Sequence, residues 1–215
     1  MNGAKLYLIL DRQVNSYDRL FEIARDSIRA GVDVIQLRDK IGCEQEILDF
    51  SVRLARLAQG KALFIVNDLV DIAVRSEAAG VHLGQDDMPI TEARRRMGRD
   101  ALIGISCQTI EQAEMAEQDG ADYIGFGSVF KTMTKPGRSP MDLDILRRAV
   151  QSVRIPVFAI GGIGLNNLDL LAARGVRRVA VCREICLSHD VAGKVERLRL
   201  SLREADSAGK GFARG

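Results

Sequence analysis

Short apolar runs recur along this 215-residue chain, each followed by an amphipathic stretch, and this alternation most constrains the fold. The runs are KLYLIL (5–10), DVIQLR (33–38), ALFIVN (62–67), GVHLG (80–84), ALIGIS (101–106), DYIGFG (122–127), VFAIGG (157–162) and RVAVC (178–182). The stretches between them carry apolar residues three and four positions apart, a spacing that predicts helices. The alternation therefore predicts eight successive strand–helix units.

Glycine stands at the end of several predicted helices, directly before the next strand. The glycines in question are Gly31, Gly60, Gly80, Gly120 and Gly175. Glycine suits these places because the residue after a helix often adopts a left-handed backbone conformation. The phrase of helix end, glycine and apolar strand recurs in AGVDVI, AGVHL, DGADYI and RGVRRV. This repetition indicates a βα unit used many times over.

Eight βα units predict an α/β fold, a single compact (β/α)8 TIM barrel smaller than the roughly 250 residues typical of that fold. An open doubly wound sheet is the alternative. The barrel is favoured because the count is eight and no second-domain boundary is visible. Residues 1–205 are expected to form the barrel domain, and the Gly-rich segment 206–215 is expected to be a mobile C-terminal tail.

Composition narrows the class of protein. Hydrophobic residues make up 47% of the chain and charged residues 28%, values typical of a globular protein. No apolar run approaches the roughly 20 residues of a membrane span, and no signal peptide is visible, so we expect a cytoplasmic protein without membrane contact. The net charge of +2 argues neither for nor against nucleic acid. Because the Arg94–Arg96 run lacks aromatic residues that stack on bases, no nucleic-acid partner is expected.

Polar side chains and glycines follow the predicted strands at one end. In chain order they are Gln36, Arg38, Lys40, Asn67, Asp68, Gln85, Asp86, Asp87, Ser106, Thr132, Thr134, Lys135, Gly161, Gly162 and Arg183. The opposite strand ends carry mostly helix caps and turns. The active site of a TIM barrel lies at the carboxyl ends of its strands. This asymmetry therefore predicts a catalytic face.

The chemistry of this set points to anions. Asp68 and Asp87 come from two strand ends and suit a hard divalent ion such as Mg²⁺, which shares its shell with substrate phosphates. Cationic side chains on the same face supply charge-assisted donors to phosphate; these are Arg38, Lys40 and Lys135. Gly161 and Gly162, with the end of the eighth strand, resemble the usual phosphate cradle of this fold. We therefore predict two anion sites, one assisted by a metal.

Each residue also has a simpler interpretation. Arg38 and Lys40 alone could be a solvated strand end. Asp68 and the pair Asp86 and Asp87 could cap the helices that follow them. His82 is expected to be packed rather than catalytic, and the thiols of Cys107 and Cys182 to act as small core groups. The functional interpretation is favoured because all the candidates fall on one face of one predicted fold.

The motifs QLRDK, VND, HLGQDD, GIS, TMTK and AIGGI, in this order, resemble those of the thiamine-phosphate synthase (thiamine-phosphate pyrophosphorylase) family. The resemblance covers residues 5 to 200. It implies a small (β/α)8 enzyme that joins 4-amino-2-methyl-5-hydroxymethylpyrimidine diphosphate to a thiazole phosphate. The products would be thiamine phosphate and diphosphate.

The resemblance also implies roles for individual residues. Those that would hold the pyrimidine diphosphate are Gln36, Arg38, Lys40, Asn67 and Ser106. Asp68 and Asp87 would carry Mg²⁺. Residues assigned to the thiazole phosphate are Thr132, Thr134, Gly162 and, at the end of the eighth strand, Cys182 and Arg183. Lys135 would contact the diphosphate, so the residues expected in catalysis are Arg38, Lys40, Ser106 and Lys135.

The implied mechanism is dissociative. The exocyclic carbon–oxygen bond breaks first, and the thiazole nitrogen then captures the carbocation, so no general base is required. The expected partners are small phosphorylated molecules, and the sequence leaves the oligomeric state open, a homo-oligomer included. Two alternatives stay open, the related thiazole tautomerase and a non-catalytic barrel that binds a phosphate ligand.

The chain departs from the family pattern at four positions. Asp39 stands where glutamate is common, and Ser128 and Lys131 stand where prolines are common. Arg183 stands where a small serine is usual. Arg183 either adds a contact to the thiazole phosphate or crowds its site, so the details of thiazole phosphate binding are expected to differ from the family pattern.

Overall fold

A computed structural model describes residues 1, 3–132 and 140–212, with side chains described up to residue 205. Its strands are β1 (Leu6–Asp11), β2 (Val34–Arg38), β3 (Leu63–Asn67), β4 (Gly80–Leu83), β5 (Leu102–Cys107), β6 (Tyr123–Phe126), β7 (Val157–Ile160) and β8 (Val179–Val181). Each strand pairs in parallel with the next, and β8 pairs with β1 to close a barrel. The predicted TIM barrel is confirmed, and the open-sheet alternative is wrong.

Helices follow the strands in alternation. They are α1 (Tyr17–Arg29), α2 (Glu44–Ala58), α3 (Val70–Arg75), α4 (Ile90–Met97), α5 (Ile110–Gln118), α6 (Leu143–Ser152), α7 (Leu168–Ala172), α8 (Arg183–Cys186) and α9 (Val191–Phe212). Helix α9 includes residues 206–212, most of the segment assigned to a C-terminal tail. The mobility of that segment stays a prediction.

Helix α1 shows how the sequence specifies these elements. Ser16 is its N-cap, and the hydroxyl accepts a hydrogen bond from the backbone N–H of Arg19. Leu20, Ile23 and Ala24, spaced for one helical face, are fully buried. A cap of this kind contributes about 1 kcal/mol, so the buried apolar face supplies most of the helix's stability.

Four of the five glycines predicted at helix ends have a positive φ, which supports that role. They are Gly31, Gly60, Gly120 and Gly175. The prediction for Gly80 is wrong, because Gly80 is the first residue of β4 and the turn after α3 uses Glu77 at φ 55° instead. A Cβ at Gly80 would lie 2.0 Å from the carbonyl oxygen of Leu102 on β5. Glycine is required there by the close approach of a neighbouring strand.

The barrel interior is filled by an aromatic layer. The rings of Tyr7 and Tyr123 both meet the ring of Phe158 edge to face, with centroids 5.4 and 5.9 Å apart. All three side chains are buried. A Cβ at Gly104 would lie 2.1 Å from the Tyr123 ring, so the missing side chain makes room for that ring. One side of this layer borders a cavity.

We predict that Gly80→Ala destabilises the protein by about 2 kcal/mol, because the added methyl group overlaps a backbone oxygen that cannot move without distorting β5. Urea unfolding followed by circular dichroism measures the change. Gly3→Ala is the control, since a Cβ there meets no atom within 4 Å. Equal unfolding midpoints for the two variants would contradict the close-packing argument.

Candidate active site

A cavity of about 370 Å³ lies at the carboxyl ends of the strands, above the aromatic layer. Tyr7, Tyr123 and Phe158 form part of its floor. The predicted site residues that line it are Gln36, Arg38, Asn67, Ser106, Thr132, Gly161, Gly162, Cys182 and Arg183. Thr134 and Lys135 lie outside the described residues. The structure therefore brings most of the predicted set around one space.

Arg38 is held at this cavity by Asp11, a buried acid that was not among the predicted site residues. Its Nη1 donates to Asp11 Oδ2 at 2.8 Å, and the Asp11 side chain is only 1% exposed. The two residues are register partners on β1 and β2. A guanidinium carries five N–H donors, so this ion pair orients Arg38 and leaves other donors for a ligand. In the sequence, Asp11 is visible only as the acid that follows the first apolar run.

Asp39 shapes the loop that follows Arg38. Its carboxylate accepts hydrogen bonds from the Tyr17 hydroxyl at 2.6 Å and from the backbone N–H groups of Ile41 and Gly42 at 2.9 and 2.8 Å. Burial, followed by the hydrogen bond to Asp39, raises the pKa of Tyr17 above its ordinary value. Asp39 is thus a structural acid that fixes the backbone next to Lys40.

Asp68 and Asp87 converge, as their positions after β3 and β4 predict. The two carboxyl groups lie within hydrogen-bond reach of each other, and the Lys40 ammonium bonds to Asp68 Oδ2. Burial raises the pKa of Asp68, and Asp87 raises it further, whereas Lys40 opposes the shift. Asp87 also accepts a hydrogen bond from the Gly84 N–H at 2.6 Å. A carboxylate pair held together in this way favours a bound cation.

The capping alternatives for these acids are wrong. Helix α3 begins after Leu69, and no side chain caps it, while Asp68 takes a positive φ of 62°. Helix α4 begins after Pro89, again without a side-chain cap. Asp86 is exposed, and no role is assigned to it. The positive φ of Asp68 is uncommon for a residue with a Cβ, and such residues cluster at functional sites.

The carboxylate pair fits a magnesium ion better than a closed metal site. Among the described residues, no group of three or more His, Cys, Asp and Glu side chains is placed to hold a metal. Mg²⁺ commonly takes one or two carboxylates from the protein and fills its shell with water and substrate phosphates. Asp68 and Asp87 therefore suit the role of the protein ligands in such a coordination shell.

The glycines after β7 form a close-packed cradle with the loop that follows β6. Gly161 and Gly162 have φ values of 106° and 63°. A Cβ at Gly161 would lie 2.2 Å from Ser128 Oγ, and one at Gly162 would lie 2.4 Å from the carbonyl oxygen of Lys131. The Phe130 N–H donates to the Gly161 carbonyl at 3.0 Å, which ties the loop to the strand end. Contact with this loop therefore leaves no room for a side chain at either glycine.

Cation and amide donors border this cradle at the end of β8. Arg183, the first residue of α8, is exposed, lines the cavity and makes no ion pair with any residue that the structure describes. Lys131 lines the opposite wall. Within the described residues, the backbone N–H groups of Gly162 and Ile163 find no protein acceptor. These groups together suit a phosphate monoester.

His82 was predicted to be packed, and it is 8% exposed, but it also lines the cavity. Its Nε2 lies 3.0 Å from Ser106 Oγ, and its Nδ1 lies 3.2 Å from the Tyr123 hydroxyl. The expectation of packing was therefore correct but incomplete. Strand alternation is the sequence pattern that indicates this position at the cavity. It places His82 on the same side as Gly80, away from the outward-facing Val81 and Leu83.

None of the helices in the described part of the chain has the length and apolarity needed to cross a membrane.

Comparisons with known proteins agree with the sequence resemblance. The family model described as thiamine monophosphate synthase matches residues 6–185. The thiamine-phosphate synthase of Halalkalibacterium halodurans is 39% identical over 198 residues, which cover 91% of this chain and 94% of that protein. The corresponding protein of Shouchella clausii is 37% identical over 95% of this chain and 99% of its own length. In Gloeobacter violaceus the relative is 43% identical, but this chain spans only 54% of its length.

A solved structure supports the same relationship. The thiamine phosphate pyrophosphorylase of Pyrococcus furiosus superposes with a TM-score of 0.85 at 37% identity, covering 95% of this chain and 98% of that one. A 3-hexulose-6-phosphate synthase superposes at 0.70 with 17% identity, a likeness of fold alone. From the family match over residues 6–185 and the relatives aligned over nearly their whole length, the chain belongs to the thiamine monophosphate synthase family.

Proposed function

We propose that this chain joins 4-amino-2-methyl-5-(diphosphooxymethyl)pyrimidine to 4-methyl-5-(2-phosphoethyl)thiazole, giving thiamine phosphate and diphosphate. Thiamine-phosphate synthase activity in thiamine biosynthesis, a transferase reaction, follows from the family and from relatives of matching length. The observation that carries the proposal is a single cavity that Arg38 lines at the end of β2 and that Arg183 and the glycine cradle line at β7–β8. Two substrates that each carry phosphate need such an arrangement.

The pyrimidine diphosphate is assigned to the β2–β5 side of the cavity. Gln36, Asn67 and Ser106 offer neutral donors and acceptors to the ring and its amino group. Arg38 and Lys40 face the diphosphate, and the ion pair between Arg38 and Asp11 sets the guanidinium in place before the substrate arrives. Preset donors of this kind need little reorganisation when charge develops.

Asp68 and Asp87 would hold Mg²⁺ next to the diphosphate. The ion would supply positive charge to the diphosphate oxygens. Its presence would offset the repulsion between the two carboxylates, which already raises the pKa of Asp68. Lys40, now bonded to Asp68, would become available to a phosphate oxygen once the carboxylate has a second positive partner.

The thiazole phosphate is assigned to the glycine cradle. Gly162, Cys182 and Thr132 line this end of the cavity. Arg183 adds a positive charge, which the serine usual in the family at this position lacks. Thr134 and Lys135 stay predictions, since they lie outside the described residues. The exposed position of Arg183 at the cavity wall suits a contact with phosphate rather than an obstruction.

The chemistry that this arrangement supports is dissociative. The bond between the exocyclic carbon and the diphosphate oxygen breaks with its electrons moving to oxygen, and the 4-amino ring delocalises the resulting cation. The thiazole nitrogen then donates its lone pair to that carbon. No proton moves in this sequence, so the residues need only position the reactants and stabilise the leaving charge.

Release of diphosphate distinguishes this proposal from its alternatives. A tautomerase acts on the thiazole alone and needs no acidic pair, whereas a binding protein releases nothing. The experiment incubates the protein with both substrates and measures diphosphate and thiamine phosphate, with MgCl₂ or with EDTA. We expect equal amounts of both products only with magnesium. Failure to form either product at saturating substrates would refute the proposed activity.

We predict that Asp68→Asn or Asp87→Asn lowers turnover about 100-fold at limiting magnesium, a loss of about 2.7 kcal/mol of transition-state stabilisation. Circular dichroism should show an unchanged fold. Asp86→Asn is the matched control, because this neighbouring acid is exposed and has no assigned role. Wild-type rates in both site variants at limiting magnesium would disprove the metal assignment.

Arg183→Ser should raise the Michaelis constant for thiazole phosphate about tenfold, as expected for loss of one charge-assisted hydrogen bond. The constant for the pyrimidine substrate should change little, because Arg183 lies at the other end of the cavity. Arg95→Ser, on the exposed surface of α4, serves as the control for lost positive charge. A thiazole constant that stays the same or falls would show that Arg183 does not hold this phosphate.

Asp11→Asn should raise the Michaelis constant for the pyrimidine diphosphate and cost about 3 kcal/mol of stability, because it leaves Arg38 beside a neutral group in a buried place. The thiazole constant should not change. Steady-state kinetics and thermal unfolding measure the two effects. Unaltered kinetics with reduced stability would confine Asp11 to a structural role.

A further inference from the structure

Four polar side chains form a continuous hydrogen-bonded chain from the barrel interior to the cavity. The Tyr7 and Tyr123 hydroxyls lie 3.0 Å apart, and the Tyr123 hydroxyl lies 3.2 Å from His82 Nδ1. His82 Nε2 lies 3.0 Å from Ser106 Oγ. All four residues line the cavity; Tyr7, Tyr123 and His82 are buried, whereas Ser106 is half-buried. A buried chain of this kind has a definite direction of donation.

The direction is set at the buried end. Tyr7 is 2% exposed, and within the described residues its hydroxyl has one hydrogen-bond partner, the Tyr123 oxygen. A phenol carries one proton, and a buried O–H without an acceptor is costly. If Tyr123 donated to Tyr7, the Tyr7 proton would lack an acceptor. Tyr7 must therefore donate to Tyr123.

The remaining steps follow from counting protons. Tyr123 accepts from Tyr7, so its own proton goes to His82 Nδ1. The neutral imidazole then carries its proton on Nε2 and donates to Ser106 Oγ. Ser106 accepts this bond and keeps its own proton. Among the described residues, Ser106 Oγ has no second partner, so that proton is directed to the cavity.

The ionisation of the tyrosines agrees with this direction. Burial raises the pKa of Tyr7, and the contact with Tyr123 raises it further. Burial also raises the pKa of Tyr123, but the hydrogen bond from Tyr7 lowers it. Burial is the largest cause of both shifts. Both hydroxyls stay protonated at neutral pH.

Packing holds the chain in place. Tyr7 and Tyr123 both contact the ring of Phe158. A Cβ at Gly104 would lie 2.6 Å from His82 Nδ1, and one at Gly125 would lie 3.2 Å from its Cε1. The imidazole thus occupies space that two glycines leave, and rotation of its ring would break its hydrogen bonds to Tyr123 and Ser106.

We propose that Tyr123 is a positioning residue that fixes the Nε2–H tautomer of His82 and so makes Ser106 a hydrogen-bond donor to the ligand. The ligand atom opposite Ser106 must then be an acceptor. If the function proposed above is correct, this atom is a ring nitrogen of the pyrimidine diphosphate, and not its amino group. This requirement for an acceptor sets how the pyrimidine lies in the cavity before its exocyclic carbon–oxygen bond breaks.

The tautomer is measured directly by ¹⁵N NMR of the imidazole in the full chain, without substrate and at alkaline pH, where histidine is neutral. The chain has two histidines, and His189→Gln identifies the signals of His82. We expect the wild type to show protonated Nε2 and unprotonated Nδ1. Protonated Nδ1 in the wild type would overturn the proposal.

Two variants test which hydroxyl sets the tautomer. Tyr123→Phe removes the donor to Nδ1, so we expect a mixture of tautomers. Tyr7→Phe is the matched control, because Tyr123 keeps its proton and His82 Nδ1 remains the acceptor of that proton, and the Nε2–H form should persist. A pure Nε2–H form in Tyr123→Phe would overturn the proposal. If Tyr123→Phe does not fold, Tyr7→Phe still tests the proposal, because loss of the Nε2–H form in that variant would overturn it.

Binding tests the role of Ser106. Calorimetry should show that Tyr123→Phe weakens binding of the pyrimidine diphosphate about twofold, the loss expected if half of the molecules carry the imidazole proton on Nδ1. Binding of inorganic diphosphate should not change. Equal weakening for both molecules, or none for the pyrimidine, would overturn the role of Ser106. Because the NMR result needs no turnover, absence of thiamine phosphate formation would refute the proposed function and leave the tautomer result standing.

Discussion

The pairing of β8 with β1 is the interaction on which the site depends. It joins Leu6 to Val179 and Leu8 to Val181 and turns a row of parallel strands into a closed ring. Closure removes both sheet edges, and it brings the end of the chain's last strand next to the end of its first. The residues that follow all eight strands then share one rim, so groups nearly 150 positions apart, such as Arg38 and Arg183, line one cavity.

Glycine and aromatic residues divide the barrel axis between core and cavity. Large rings fill the lower part, and the glycines at 104 and 125 leave space for Tyr123 and His82. Above this layer the strand ends carry polar groups, which line the cavity. The stability of the core and the depth of the cavity therefore depend on the same layer.

The barrel was predictable from sequence because its strands are buried on both faces and appear as short apolar runs. The candidate site was predictable because position after a strand end is a local property, as for Asp68 and Asp87. Three features were not predictable, since each depends on a neighbour distant in sequence. Gly80 faces a carbonyl of β5, Asp11 faces Arg38, and His82 lies between Ser106 and Tyr123.

The two cations at the end of β2 are already paired in the protein itself. Arg38 pairs with Asp11, and Lys40 pairs with Asp68. These pairs differ in burial: the Asp11 side chain is 1% exposed, whereas that of Lys40 is 47% exposed. The buried pair holds its geometry because separating it would leave a charge without water. The exposed pair is weak and can exchange partners. One cation is therefore fixed in position, and the other is able to change partner, as the proposed departure of diphosphate would require.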